Sequence, residues 1–217
     1  MAHLLHIDSS ALPAGSVSKD IATTFRKAWQ EAHPEGTITH RDLGLNPVAP
    51  LLVDGISAGY APAESHTPEQ AAAFAVRTQL VDEVVAADAY LLTVPMYNWG
   101  VPATFKTWID QIILAGRTVS FDDNPPLAGR PATVVLSYGG GYDAGTPREG
   151  WDFVQPYLEV VLGKALKLDV TFIKAQLTLA ERNPAMAELI PVAKAQQEAA
   201  HAAADAHARS VVAALVG

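Results

Sequence analysis

The sequence AYLLTVPMYNWGVP occupies residues 89–102 of the chain. Its first part, residues 89–94, is an almost continuous apolar run, which predicts a strand buried on both faces of a parallel sheet. The turn-forming residues of 95–102, here called the aromatic loop, end that strand, and a helix is predicted over residues 103–114. In open α/β folds such a loop lies at the carboxyl edge of the sheet, where ligands bind. We therefore expect this loop of aromatic residues, a carboxamide and two prolines to hold a flat, conjugated ring.

Short apolar runs alternate with longer amphipathic segments along the rest of the chain, a rhythm typical of βαβ units. Strands are predicted at residues 3–8, 37–43, 89–94, 132–137 and 168–173. Helices are predicted at residues 18–32, 68–87, 103–114, 151–165 and 192–216. Residues 44–67 show no clear periodicity and are predicted as one long loop. The pattern predicts an α/β protein of one domain, residues 1–217, with a doubly wound five-stranded parallel sheet and helices on both faces.

Composition excludes several classes of function. With 217 residues, 49% hydrophobic and 18% charged, the chain has the composition of an ordinary globular protein. Its net charge of -8 disfavours nucleic acid and anionic membranes as partners. The absence of cysteine excludes disulfides and thiolate chemistry. No secretion signal or membrane span is recognisable, so a cytoplasmic location is expected. His3 and His6 face opposite sides of a predicted strand, and no metal site is predicted.

A second chemical signal follows the first predicted strand. Residues 9–18, here called the serine loop, read SSALPAGSVS and lead into a helix. The free N–H groups and the dipole of a helix N-terminus attract an anion, and hydroxyl side chains add donors, so a phosphate monoester is expected here. The loop contains no lysine or arginine, and neither a P-loop nor a GxGxxG pattern is present. A purely structural interpretation, in which Ser16 or Ser18 only caps the helix, stays open.

A third loop follows the fourth predicted strand. Residues 137–142, here called the glycine loop, read SYGGGY. Consecutive glycines let backbone N–H groups approach a ligand closely, although a plain flexible turn has the same composition. All three loops follow predicted parallel strands and therefore lie at one edge of the sheet. One mononucleotide with a large flat ring would suit all three.

With these residues in view, the sequence resembles the FMN-dependent NADH azoreductases and quinone reductases, which have flavodoxin-like folds. The most specific matching segment is Pro-Met-Tyr-Asn at residues 95–98, and the resemblance covers nearly the whole chain. Further matching segments are residues 8–10, 16–18, 41–43, 46–47, 106–110, 116–121, 137–140 and 156–158. The resemblance implies that the FMN phosphate is held by Ser10, Ser16, Val17 and Ser18. It implies that the isoalloxazine ring is held by Met96, Tyr97, Asn98, Trp99, Ser137, Tyr138, Gly139 and Gly140.

The same resemblance implies a function. It indicates an FMN-dependent oxidoreductase that takes electrons from NADH or NADPH and reduces quinones and azo compounds by two-electron ping-pong transfer. Family members are homodimers with active sites at the subunit interface. No catalytic side chain is predicted, because the flavin supplies the reactivity. Two alternatives stay open: a flavodoxin-type electron carrier, which the negative charge favours, and a flavin reductase that serves a specific partner.

Two departures from the family pattern concern the substrate pocket rather than the cofactor. Tyr138 stands where many relatives have arginine. Lys164 follows a Leu-Gly pair where relatives often have an aromatic residue. We expect these changes to alter the pocket wall and to leave flavin binding intact. Trp151 and Tyr142 are candidates for a lid over the pocket.

Overall fold

The computed structural model describes residues 1–120 and 125–216. At its centre are five strands: β1 (His3–Asp8), β2 (Thr37–Asp42), β3 (Ala89–Pro95), β4 (Pro131–Ser137) and β5 (Asp169–Ala175). All neighbouring pairs are parallel, in the order β2-β1-β3-β4-β5. This order confirms the predicted doubly wound sheet. Phe121, which ends one of the stretches that carry the resemblance, lies outside the described residues.

Six α-helices surround the sheet in the described part of the chain. They are α1 (Val17–Ala32), α2 (Val53–Ala58), α3 (Pro68–Ala86), α4 (Ala103–Ile112), α5 (Gln155–Leu158) and α6 (Ile190–Val216). The helix α5 continues as a π-helical segment over Glu159–Ala165, and 3₁₀ turns occupy Ala63–Ser65 and Pro184–Leu189. None of the helices within the described ranges combines the length and apolar character needed to cross a bilayer.

The central strand β3 divides the core into two layers. Every residue of β3 is buried. Side chains alternate along a strand, so Tyr90, Leu92 and Val94 pack beneath α3, α4 and α5, while Ala89 and Leu91 pack beneath α1 and α6. Because both faces are covered, the strand needs apolar residues throughout. This explains the apolar run that the sequence shows at residues 89–94.

Two of the predicted boundaries are wrong. The segment 44–67 was expected to be one loop but contains α2, whose six residues are too few to show a helical periodicity. The helix expected from residue 151 begins at Gln155. The Asp152 carboxylate accepts the backbone N–H groups of Val154 and Gln155 at 2.9 and 3.1 Å, so the chain turns at these residues before the helix starts.

Arg77 of α3 is a buried cation that joins separate segments of the fold. Its guanidinium donates to the carbonyl oxygens of Gln111 at 3.0 Å and Gly55 at 3.4 Å, and also to that of Ile113. Gln111 and Ile113 lie at the C-terminal end of α4, where carbonyls lack intrahelical partners. Arg77 therefore ties α2, α3 and α4 together.

We predict that Arg77→Met lowers the free energy of unfolding by about 2–4 kcal/mol, since several carbonyl groups lose a charged donor. Urea denaturation followed by circular dichroism measures this change. The control is Arg117→Met, which removes an exposed ion pair to Asp82 at 2.6 Å and should cost less than about 1 kcal/mol. Equal losses in the two variants would contradict the role given to Arg77.

Candidate functional site

The three loops meet around one cavity at the carboxyl edge of the sheet. Its volume is about 280 Å³. The predicted residues in its wall are Ser10, Ser16, Val17, Met96, Tyr97, Ser137 and Gly139. Parallel strands bring the loops together: Pro95, at the end of β3, is paired with Ser137, at the end of β4. The cavity formed by the three loops is here called the site cavity.

The serine loop is held against the aromatic loop by one phenol. The Tyr97 hydroxyl accepts the backbone N–H of Ala11 at 3.0 Å and lies 3.4 Å from the Ser10 hydroxyl. At the other end of the loop, Ser16 is the N-cap of α1, and its side chain accepts the backbone N–H of Lys19 at 3.5 Å. Ser16 therefore caps α1. Ser18 is fully buried, with its hydroxyl 3.3 Å from that of Ser16.

The aromatic loop contains a tight turn in an uncommon conformation. Tyr97 and Gly100 exchange two backbone hydrogen bonds, at 3.0 and 3.1 Å. The two residues between them, Asn98 and Trp99, have φ values of 48° and 66°. Asparagine tolerates this left-handed region, but for a bulky residue such as tryptophan it is strained. Strain of this kind concentrates at functional sites.

The strained turn presents its side chains to a second opening. A cavity of about 420 Å³ is lined by Asn98, Trp99, Trp151 and Phe153. The indole rings of Trp99 and Trp151 meet edge to face with centroids 5.9 Å apart. Trp99 is 45% exposed, Trp151 50% and Phe153 64%. These three aromatic side chains, here called the aromatic cover, form an apolar surface that flat rings can stack on.

Tyr138 lies in the core and not in the wall of the site cavity. Its side chain is fully buried, and its hydroxyl donates to the Asp152 carboxylate at 2.9 and 3.1 Å. Its backbone N–H donates to Ala175, and its carbonyl accepts from Thr178. Burial and the neighbouring Asp152 raise the pKa of Tyr138 well above its usual range. The Tyr138 side chain therefore lies outside the site cavity and supports the glycine loop from below.

The glycine loop packs closely against the turn that follows β5. A Cβ atom at Gly139 would lie 2.7 Å from Cδ1 of Leu179, and one at Gly140 would approach the guanidinium of Arg148. The glycines are therefore explained in part by packing. Within the described residues, the N–H groups of Gly139 and Gly140 form no hydrogen bond, and that of Gly139, which lines the site cavity, stays available to a ligand.

Three residues of the site cavity were missed by sequence reasoning. Thr178, Leu179 and Arg182 come from the turn after β5 and line the cavity beside the loops. No local motif marks them. Their place follows from the pairing of β4 with β5, which sets the end of β5 next to the glycine loop.

A buried polar network lies beneath the serine loop. The Asp8 carboxylate accepts hydrogen bonds from His40 at 2.9 Å, Thr93 at 2.8 Å and His6 at 3.1 Å. Although burial acts to raise it, these hydrogen bonds hold the pKa of Asp8 well below its usual range. Thr93 also accepts the backbone N–H of Ser9 at 3.3 Å, so the network fixes the first residue of the serine loop.

The same cluster places two histidines and a carboxylate within reach of one another, a combination the sequence did not suggest. The rings of His6 and His40 are stacked, with centroids 4.5 Å apart and planes inclined by 20°. A metal bound by an imidazole nitrogen lies close to the ring plane, and two such nearly parallel planes meet far from both rings. The geometry suits two hydrogen bonds to Asp8 better than a shared metal ion.

With this geometry established, the chain can be compared with known proteins. The sequence profile of the flavodoxin-like fold family matches residues 2–208. The chain belongs to this family. A relative in Streptomyces avermitilis, an FMN-dependent NADH:quinone oxidoreductase, is 50% identical over 212 residues, which cover 97% of each chain. A relative of the same description in Frankia casuarinae is 49% identical over 213 residues, covering 98% of this chain and all of that one. These matches confirm the family resemblance.

Solved structures show the same fold. An azoreductase from Bacillus anthracis superposes with a TM-score of 0.82 at 22% identity and covers 97% of this chain and 100% of that one. An FMN-dependent NADH-azoreductase from Bacillus anthracis, in complex with FMN, superposes with a TM-score of 0.79 at 20% identity over 96% of this chain and 100% of that one. At these identities the likeness supports the fold alone.

The position of Tyr138 leads to a first prediction for this site. Tyr138→Phe removes the hydroxyl that binds Asp152 and should lower the free energy of unfolding by about 1 kcal/mol. Because the hydroxyl does not face the site cavity, affinity for FMN should stay within about twofold of wild type. Urea denaturation and flavin fluorescence measure the two quantities. A loss of FMN affinity without a loss in the free energy of unfolding would instead indicate that Tyr138 contacts the ligand.

The buried network leads to a second prediction. Burial lowers the pKa of His6 below its ordinary value of 6.5 by more than Asp8 raises it. The unfolded chain therefore takes up this proton more readily than the folded protein, and stability falls as the pH drops below about 6.5. Asp8 adds a second loss at lower pH, below the ordinary carboxyl pKa of 3.8.

His6→Gln keeps an N–H donor near Asp8 but cannot take up a proton. Its free energy of unfolding should decline less than that of wild type between about pH 7.5 and about pH 5.5, since only wild type carries the His6 titration. Urea denaturation at several pH values measures the difference. Parallel curves for the two proteins would show that His6 does not contribute.

Proposed function

We propose that this protein is an FMN-dependent NADH oxidoreductase that reduces quinones and azo compounds. The observation that carries the proposal is the convergence of the serine, aromatic and glycine loops on one cavity. Relatives that share about half of the sequence over nearly its whole length are named FMN-dependent NADH:quinone oxidoreductases. The cavity and the relatives thus point to the same cofactor.

The residues present fit the chemistry of FMN. At the serine loop, the first turn of α1 offers backbone N–H groups, and Ser10 and Ser16 before it offer hydroxyls, which together suit a phosphate. The free N–H groups of Gly139 and Gly140 suit the carbonyl oxygens on the edge of an isoalloxazine ring. Met96 and Tyr97 supply apolar surface between these two regions. Phosphate and ring are thereby matched to different loops.

Bound FMN would supply the two-electron chemistry, and the protein would bind, orient and shield it. The Tyr97 phenol holds the serine loop against the aromatic loop, and would thereby fix the residues for the phosphate relative to those for the ring. The N–H groups of Gly139 and Gly140 favour negative charge on the ring edge, as donors of an oxyanion hole do. No side chain of the site is assigned a covalent role.

The aromatic cover supports a ping-pong scheme. Trp99, Trp151 and Phe153 form an exposed surface on which a nicotinamide or a quinone can stack. We propose that donor and acceptor use this surface in turn, each leaving before the other enters. The exposure of all three side chains also supports a homodimer in which a second subunit completes each active site.

An anaerobic absorbance titration tests the proposed function. Purified protein is loaded with FMN and titrated with NADH, then in a second sample with NADPH, and finally with a simple benzoquinone. NADH should bleach the flavin absorption bands, and the quinone should restore them. If FMN binds but neither nucleotide bleaches it, an electron carrier or a partner-dependent flavin reductase is the better account. If FMN does not bind, the site itself is wrongly assigned.

Variants of Asn98 link the titration to the aromatic loop. Asn98→Ala removes the carboxamide but also places alanine at a φ of 48°. Asn98→Gly removes the carboxamide and tolerates that conformation. If the carboxamide contacts the flavin, both variants should bind FMN more weakly or be reduced more slowly. If only the alanine variant is impaired, the turn matters and the carboxamide does not.

A further inference from the structure

The serine loop contains no basic residue, yet one basic side chain reaches it from elsewhere in the fold. Arg182 lies on the turn between β5 and α6. Among the described residues, it is the one lysine or arginine in the wall of the site cavity. It also lines an adjoining cavity of about 450 Å³, which shares Gly15, Ser16, Val17 and Thr178 with the first. Arg182 therefore stands where the two cavities meet.

The guanidinium lies directly against the serine loop. Nη2 of Arg182 is 3.5 Å from the point that a Cβ atom on Gly15 would occupy. Gly15 has a φ of 70°, a conformation natural to glycine, and it is the residue before the N-cap Ser16. The positive charge of Arg182 thus lies beside the N-terminus of α1, where the helix dipole also favours an anion.

Arg182 is also the cation that remains available. Of the basic residues lining the adjoining cavity, Lys19 pairs with Asp42 at 2.7 Å and Lys194 pairs with Glu181 at 3.3 Å. Within residues 1–120 and 125–216, the guanidinium of Arg182 forms no ion pair and no hydrogen bond. A phosphate in the site cavity would give it a charged partner, and the arginine fork matches phosphate oxygens in pairs.

The turn that carries Arg182 is fixed to the glycine loop. The N–H groups of Leu177 and Leu179 donate to the carbonyl oxygens of Gly140 and Gly139, each at 3.3 Å. The N–H of Arg182 in turn donates to the Leu179 carbonyl at 3.0 Å. The backbone that carries Arg182 is therefore held at a set position relative to the loop assigned to the ring, which matters for a ligand that has a phosphate at one end and a ring at the other.

We propose that Arg182 binds the flavin phosphate and makes the site selective for FMN over riboflavin, which lacks the phosphate. This inference rests on the proposed function. It explains how a loop without lysine or arginine holds a dianion. It also gives Arg182 a role through contact with the cofactor rather than through the stability of the turn.

Binding of FMN and riboflavin to the apoprotein, followed by flavin fluorescence, tests the inference. Arg182→Met should weaken FMN binding by about tenfold or more, as expected for loss of a charged hydrogen bond, and leave riboflavin binding unchanged. Arg182→Lys should recover part of the lost affinity, since lysine keeps the charge but not the fork. Added salt should weaken FMN binding more in wild type than in Arg182→Met.

The matched control is Arg209→Met. Arg209 pairs with Glu31 and Asp205 near the C-terminal end of α1, so this change removes the same charge at the opposite end of that helix. It should leave both flavin affinities as in wild type. Thermal melting of all variants checks that they are folded.

The outcomes separate this inference from the proposed function. If wild type binds FMN and Arg182→Met keeps the same FMN-to-riboflavin ratio, the inference fails and the proposed function stands. Equal weakening of both flavins would also overturn it, because Arg182 would then act through the structure of the turn. If wild type binds neither flavin, both the inference about Arg182 and the proposed function are wrong.

Discussion

The parallel hydrogen bonding of β1, β3, β4 and β5 is the constraint on which the rest of the structure depends. Because all strands run in the same direction, each ends at the same edge of the sheet. Asp8 is paired with Thr93, Pro95 with Ser137, and Ser137 with Ala175. The loops that follow therefore start side by side. Loops of different composition, far apart in sequence, become the walls of one cavity.

Buried polar groups then fix these loops in place. The Asp8 carboxylate, held by two histidines and Thr93, secures the start of the serine loop. The hydroxyl of Tyr138 binds Asp152, which also accepts the backbone N–H groups of Val154 and Gln155 at the start of α5. Neither group faces the cavity. Buried hydrogen-bond networks hold the groups they join in one arrangement, and here they supply the rigid support that a binding site needs.

Much of the fold follows from local sequence, and the remainder depends on lateral packing. The strand at residues 3–8 is as predicted, since its apolar run and flanking residues identify it. The depth of Tyr138 and the approach of Arg182 depend on which strands are neighbours, which periodicity does not reveal. The pairing of His40 with Asp8 likewise requires β2 beside β1. At the late start of α5, the Asp152 carboxylate bonds the backbone N–H groups of Val154 and Gln155, a turn that has no periodic signature.

The central claim is that the serine, aromatic and glycine loops form one site for FMN, and a crystal structure of the complex tests it most directly. The account predicts electron density for the phosphate at the first turn of α1, within hydrogen-bonding distance of the N–H groups of Val17 and Ser18. It predicts the ring between the aromatic and glycine loops, with its edge toward Gly139 and Gly140. Density for FMN elsewhere on the protein, or a phosphate away from α1, would contradict the account.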